Sequence, residues 1–160
     1  MPQHGNITYA KISVFAHATE DPEKVAEAVK TLLPMLRERG ELISTEMQGH
    51  HGNPILRIEG DFEMREDAFE ALDLLLSRLS TLDEDILRRE FHEHLDAKGN
   101  LYLRFDKQQA FLGQTSLGTN DPISLRVRLG FQPRSLDELK LHLEEKKRIS
   151  SGDRRIGQGA

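Results

Sequence analysis

The chain has 160 residues, 37% of them hydrophobic and 31% charged, which is typical of one globular domain, and its net charge of −5 argues against avid nucleic-acid binding. With no cysteine, the chain cannot form disulfides, thiolate metal sites or cysteine nucleophiles. Because it has neither an apolar run of ~20 residues nor a signal-peptide core, we expect a cytoplasmic protein with no membrane contact.

The charge is unevenly distributed along the chain. Residues 1–96 carry 20 acidic and 10 basic side chains, whereas residues 97–160 carry 7 acidic and 12 basic ones. Affinity for phosphate comes from local clusters of lysine and arginine, so we expect any polyanion to bind the second half. The alternative, two differently charged surfaces without a ligand, stays open.

The first predicted elements are a strand and a helix. Alternating apolar and polar residues predict a strand over residues 8–18. A helix should follow over residues 21–39, because Asp21 is a suitable N-cap and Pro22 occupies the first helical position. Pro34 should kink or end this helix.

A hairpin and two helices should complete the first half. The predicted strands cover residues 41–48 and 55–62, and the turn of glycine, histidine, asparagine and proline between them predicts antiparallel pairing. Apolar stripes at helical spacing then predict helices over residues 66–80 and 82–95.

The second half has the pattern of a meander followed by a helix. Strands are expected over residues 101–106, 110–117 and 123–131, and a helix over residues 135–149. Residues 150–160, rich in glycine, should form a flexible C-terminal tail.

These elements predict a single α+β domain over residues 1–149. Its antiparallel, largely meandering sheet should be covered on one face by helices. The core should lie between the apolar faces of the first, third and last strands and the helices over residues 21–39 and 66–80.

The histidine pairs are weak candidates for a metal site. His50 and His51 are adjacent, and His92 and His94 are two apart near a helix end, so neither pair shares a face. The sequence also has no glycine-rich phosphate loop, nucleophile elbow or zinc-protease motif. We therefore expect no metal, no cofactor and no catalytic residues.

The second half offers a candidate RNA-binding surface. The alternation places Arg104, Arg126 and Arg128 outward on neighbouring strands, with Lys107 close by and Tyr102 available to stack on a base. These five residues are the predicted RNA-binding site. The alternative, in which the basic side chains only solvate the outer face, stays open.

Three segments carry a family resemblance. Residues 17–25, 49–54 and 95–110 occur in the order and pattern of an archaeal family usually called the RNA-binding, predicted exosome-subunit family. The resemblance covers roughly residues 8–131. It implies a fold like that of ribosomal protein L five, RNA binding, and association with the exosome or ribosome, and it supplies no catalytic residues.

Two positions depart from the family pattern. His51 stands where the family resemblance leads us to expect an aromatic residue, which weakens a stacking role for that turn. Residues 105–110 correspond to a Leu-Asp-Lys-Gln-Ala-type motif, with Gln109 as an apparent extra residue.

The leading hypothesis is a non-enzymatic RNA-binding accessory protein, associated with the archaeal exosome or ribosomal RNA metabolism. We expect its RNA binding to be weak and sensitive to salt, since four exposed basic side chains contact phosphate and the whole chain is acidic. The alternative is a protein-interaction module that self-associates or docks its acidic half on a basic partner. A third hypothesis is a hydrolase that uses the histidine turn.

Overall fold

The computed structural model describes the backbone of residues 6–49 and 52–158 and the side chains up to residue 150 within those ranges. The strands are β1 (Tyr9–Ala16), β2 (Ile43–Gln48), β3 (Pro54–Phe62), β4 (Asn100–Phe105) and β5 (Ile123–Arg128). The α-helices are α1 (Pro22–Leu32), α2 (Arg65–Arg78), α3 (Thr81–Arg89), α4 (Lys107–Phe111) and α5 (Leu136–Gln158). Short 3₁₀ helices follow α1 at Pro34–Arg37 and α3 at Phe91–His94.

A capping residue and a proline set the start and the end of the first helix. The carboxylate of Asp21 accepts a hydrogen bond from the backbone N–H of Glu23 at 3.0 Å, and Pro22 occupies the first turn. Helix α1 ends at Leu32, and a 3₁₀ turn starts at Pro34, because proline has no N–H to continue the helical ladder.

The strands form one antiparallel sheet in the order β2-β3-β1-β5-β4. The first strand lies at its centre, so Ile12 pairs with Gly60 of β3 on one side and with Leu125 of β5 on the other. The predicted hairpin between β2 and β3 is confirmed, as is the predicted class of an antiparallel α+β fold.

The helices cover one face of this sheet. Ile12, Leu103 and Leu125 point into the core from three adjacent strands and are at most 1% exposed. Leu72 of α2 and Val29 of α1 are buried on the same side. Apolar burial on this face stabilises the fold, whereas the residues that alternate with the core residues on β1, β3, β4 and β5 are partly or fully exposed on the opposite face.

Two sequence predictions are corrected. The strand expected over residues 110–117 is wrong: Asp106 caps the short helix α4 by accepting a hydrogen bond from the N–H of Gln109 at 2.8 Å, and Gly113 follows with φ +80°. The last helix continues to Gln158, beyond the predicted end at residue 149. The flexibility of residues 150–160 stays a prediction.

Across the part of the chain that the structure describes, no helix combines the length and the apolar character needed to cross a bilayer.

Candidate nucleic-acid interface

The uncovered side of the sheet, here called the open face, is built by strand alternation. Paired residues of antiparallel strands share a face, so the register joins four strands into one surface. The side chains of this face on these four strands include Tyr9, Lys11, Ser13 and Phe15 of β1; Arg57, Glu59 and Asp61 of β3; Tyr102 and Arg104 of β4; and Ser124, Arg126 and Arg128 of β5.

Four arginines dominate the charge of the open face. Among the described residues, Arg57, Arg104, Arg126 and Arg128 take part in none of the ion pairs within 4.0 Å. Lys11 differs, because its Nζ lies 3.0 Å from a carboxylate oxygen of Glu59. The guanidinium groups are thus available for an external anion.

Aromatic rings lie among these arginines. The guanidinium carbon of Arg57 is 5.6 Å from the ring centre of Phe15, and that of Arg128 is 5.6 Å from the ring centre of Tyr9. Both distances are typical of cation–π contacts, which hold an arginine flat against a ring. Phe15 is 38% exposed and Tyr102 is 40% exposed, so each presents a ring to solvent.

A tight turn holds Tyr102 in place. Its hydroxyl donates to a carboxylate oxygen of Asp96 at 3.1 Å, and the same carboxylate accepts from the N–H groups of Lys98 and Asn100 at 2.9 Å. The pKa of Asp96 is lowered to about 2, chiefly by the hydrogen bond from the Asn100 N–H. Hydrogen bonds from the Asn100 amide, the Lys98 N–H and Tyr102 lower it further, and burial opposes the shift. Gly99 has φ +84°, a conformation that favours glycine, and permits this turn.

The phenol of Tyr102 stays protonated over a wide pH range. Burial raises its pKa, and the hydrogen bond to Asp96 raises it further, while Arg126 opposes the shift. The ring therefore meets a ligand as a neutral aromatic group.

The prediction that Lys107 lies on the open face is wrong. Its side chain is only 3% exposed, because the chain turns into α4 at this residue and directs it inward. The Nζ donates to the carbonyl oxygen of Phe15 at 2.8 Å, to the carboxylate of Asp121 at 2.7 Å and to that of Glu20 at 3.2 Å. Lys107 thus joins the end of β1 to two loops and is not available to phosphate.

The carboxylates around Lys107 also form the geometry of a candidate metal site. His17, Glu20 and Asp121 offer ligand atoms within 4.8 Å of one another. The ammonium of Lys107 contacts both carboxylates, so it already supplies the positive charge that a metal ion would bring. Burial works to raise the pKa of Asp121, but hydrogen bonds from Lys107 and His17 lower it overall.

Of the histidine pairs singled out in the sequence, one lies outside the described residues and one has a described contact to β4. His50 and His51 lie outside the described residues. A ring nitrogen of His94 lies 2.9 Å from the carbonyl oxygen of Tyr102, so this histidine supports β4 from the neighbouring 3₁₀ helix.

The charge pattern predicts a basic surface in the second half, and the structure adds residues of the first half to it. Strand β1 lies between β3 and β5, so Arg57 and Phe15 share a surface with Arg104, Arg126 and Arg128. The alternation in the strands predicted over residues 8–18 and 55–62 places Phe15 and Arg57 opposite the apolar residues of their strands. The strand order that unites them has no comparable signal in the sequence.

Comparisons with known proteins give the family. A family model described as RNA binding matches residues 9–129. A relative from Pyrococcus abyssi named RNA-binding protein PAB1135 is 37% identical over 122 residues, covering 74% of this chain and 79% of the relative.

Solved structures have the same fold. Protein AF2318 from Archaeoglobus fulgidus is 31% identical with a TM-score of 0.69, covering 90% of this chain and 99% of that protein. Protein SSO0741 from Sulfolobus solfataricus is 28% identical with a TM-score of 0.68, covering 90% of this chain and 98% of that one. The family model matches most of the chain, and the relative PAB1135 is 37% identical over 74% of it, so the chain belongs to the RNA-binding family.

Proposed function

We propose that this protein is a non-enzymatic, cytoplasmic RNA-binding accessory protein that works with the archaeal exosome or in ribosomal RNA metabolism. The observation that carries the RNA-binding assignment is the open face, where four arginines free of the described carboxylates surround exposed aromatic rings. Family membership supports the same ligand. The exosome and ribosome associations rest on the family resemblance alone.

The arginines supply the affinity for phosphate. A planar guanidinium binds phosphate oxygens through two parallel hydrogen bonds and remains charged at all physiological pH values. Arg126 and Arg128 are two residues apart on β5, and Arg104 lies on the adjacent strand β4, so a flexible backbone can contact them in succession. Arg57 reaches the same surface from β3.

The overall acidity of the chain limits this affinity. A net charge of −5 repels a polyanion at long range, whereas the arginines attract it locally. The balance predicts weak binding that depends strongly on salt, in which each phosphate contact to a single strand contributes a slope of about −0.7 in log affinity against log salt.

The test is an RNA titration of a variant with Arg57, Arg104, Arg126 and Arg128 all changed to Gln. The probe is a labelled mixed-sequence hairpin with single-stranded tails, which offers paired and unpaired RNA. At 0.1 M salt, the loss of four phosphate contacts should weaken binding roughly 600-fold. The thermal midpoint should change little, because exposed charges contribute little to stability.

A charge-matched control separates the open face from net charge. Lys24, Arg78, Arg89 and Arg148 are exposed residues of α1, α2, α3 and α5, away from the open face. Changing these four to Gln removes the same charge and should leave the affinity within about threefold. Equal losses in the two variants would show that net charge, rather than this face, carries the binding.

A second candidate function is protein interaction, favoured by the edge strand β2. All six residues of this strand are exposed, including Ile43 at 58% and Met47 at 38%. It is the last strand at one end of the sheet, and no described residue pairs with its outer edge, so this edge can pair with a strand of a basic partner or of a second copy. Sedimentation without RNA separates the candidates: a stable dimer that binds no RNA would favour interaction.

A further inference from the structure

The middle of the open face contains a groove with a floor of small residues. Ser13 of β1 and Ser124 of β5 are register partners, and each is two residues from larger side chains along its own strand. The groove has a volume of about 440 Å³. A pair of serines among arginine and aromatic side chains therefore leaves a depression in an otherwise filled surface.

The register defines the walls of this groove. Phe15 and Arg57 form one wall, while Lys11, Arg126 and Tyr102 form the opposite one. Phe15 and Lys11 are four residues apart on one strand, which corresponds to roughly 13 Å between their Cα atoms. After the side chains are allowed for, the space suits a flat ring and is too narrow for a helix.

The ends of the groove carry opposite charges. Glu59 lies beside Ser13 on β3, and Arg104 lies beside Ser124 on β4, so the serine floor runs between a carboxylate and a guanidinium. One oxygen of Glu59 contacts Lys11 at 3.0 Å, and among the described residues no hydrogen bond to the other oxygen is present, so it can accept one from a ligand. The lining thus offers an aromatic wall, hydroxyl groups, an acceptor and a phosphate-binding cation.

We infer that this groove binds one unpaired base of single-stranded RNA, an inference that rests on the proposed function. The base packs against the wall that Phe15 and the Arg57 guanidinium over its ring form, its edge contacts Ser13 and Ser124, and the adjoining phosphates lie on Arg104 and Arg126. A base in a duplex is stacked and paired, so it cannot enter the groove. Proteins that recognise RNA bases take them from unpaired segments for this reason.

The carboxylate gives the groove a preference among bases. Glu59 accepts a hydrogen bond from an exocyclic amino group, which adenine, cytosine and guanine possess and uracil lacks. The single N–H on the pairing edge of uracil lies between two carbonyl oxygens, which a carboxylate repels. Single-stranded RNA containing amino-bearing bases therefore binds better than oligouridine.

The experiment compares a mixed-sequence single strand of twelve nucleotides, a duplex of the same sequence, and oligouridine of the same length. Ser124→Leu fills the floor without changing charge, and because Ser124 lies on the outward side of β5 the substitution leaves the buried residues of that strand in place. The variant should lose roughly five- to a hundredfold in single-strand affinity, the effect of one stacked base, with duplex binding unchanged. Thr45→Leu on β2 is the control: it lies on the same side of the sheet outside the groove and should bind as the parent does.

A second variant tests the groove without adding bulk. Glu59→Gln keeps the shape of the side chain and removes its negative charge. The loss of this charge can raise the affinity for both RNAs, but the preference for the mixed sequence over oligouridine should decrease. Equal parent affinity for single strand and duplex, or unchanged single-strand binding by Ser124→Leu, would overturn the groove assignment while leaving RNA binding intact. Failure of the parent to bind either RNA at low salt would overturn the proposed function as well.

Discussion

Replacing Lys107 with methionine tests the buried ion pair that the structure assigns to this residue. The substitution keeps the length and apolar stem of the side chain but removes the ammonium. The carbonyl of Phe15 and the carboxylates of Glu20 and Asp121 then lose a donor that contacts them at 2.7 to 3.2 Å. The free energy of unfolding should therefore decrease.

The size of the loss in unfolding free energy depends on how well water can solvate the carboxylates once the ammonium is gone. Removing one partner of a fully buried ion pair costs roughly 3–5 kcal/mol. Here the side chains of Glu20 and Asp121 are 23% and 37% exposed, so water partly solvates the carboxylates that remain. We therefore expect a loss of about 2–3 kcal/mol, which corresponds to a decrease of roughly 4–12 °C in the thermal midpoint of a chain this size.

The assay is urea and thermal unfolding at pH 7, followed by circular dichroism. Lys24→Met on the exposed surface of α1 is the matched control and should change stability by less than about 0.5 kcal/mol. A similarly small loss for Lys107→Met would refute the conclusion that the buried ammonium stabilises the junction of β1 with the two loops.

Two further predictions concern the core and the turn beside the open face. Leu72→Ala should reduce the free energy of unfolding by about 2–5 kcal/mol, because Leu72 is fully buried on α2. If a urea melt shows a loss of less than about 1 kcal/mol, Leu72 does not belong to the core. The pKa of Asp96 falls from its ordinary value of 3.8 to about 2 in the folded protein, so its stabilising contribution is complete above the ordinary value and is lost as the pH falls toward 2. Asp96→Asn should therefore be less stable than the parent at pH 7, with a smaller difference at pH 2, and thermal melts across this range measure it.

Local patterns predicted the elements of this fold well. The alternation in β1 and β5 and the capping residue Asp21 are short-range signals, and each agrees with the structure. The prediction missed helix α4 because the sequence pattern favoured a strand over residues 110–117, with residues 107–109 as its connection to β4. Asp106 instead caps a helix of five residues, which is too short to show a periodic apolar stripe.

The candidate site depends on contacts between distant parts of the chain. Glu20 is 87 residues from Lys107, and no local pattern indicates that these two side chains meet. Likewise, Arg57 could be placed outward from its own strand, but only the strand order brings it beside Phe15 and the second-half arginines. Local alternation is therefore sufficient to predict Tyr102, Arg104, Arg126 and Arg128 as outward-facing residues, but not the first-half residues that complete the open face.

The salt dependence of RNA binding tests the central claim most directly. Titrations of the hairpin probe across a salt series should give a slope near roughly −3 in log affinity against log salt for the parent and for the control with four helix residues changed. The variant lacking Arg57, Arg104, Arg126 and Arg128 should bind weakly, with a slope close to zero. A folded four-arginine variant that keeps the parent's affinity and slope would contradict the assignment of RNA binding to the open face.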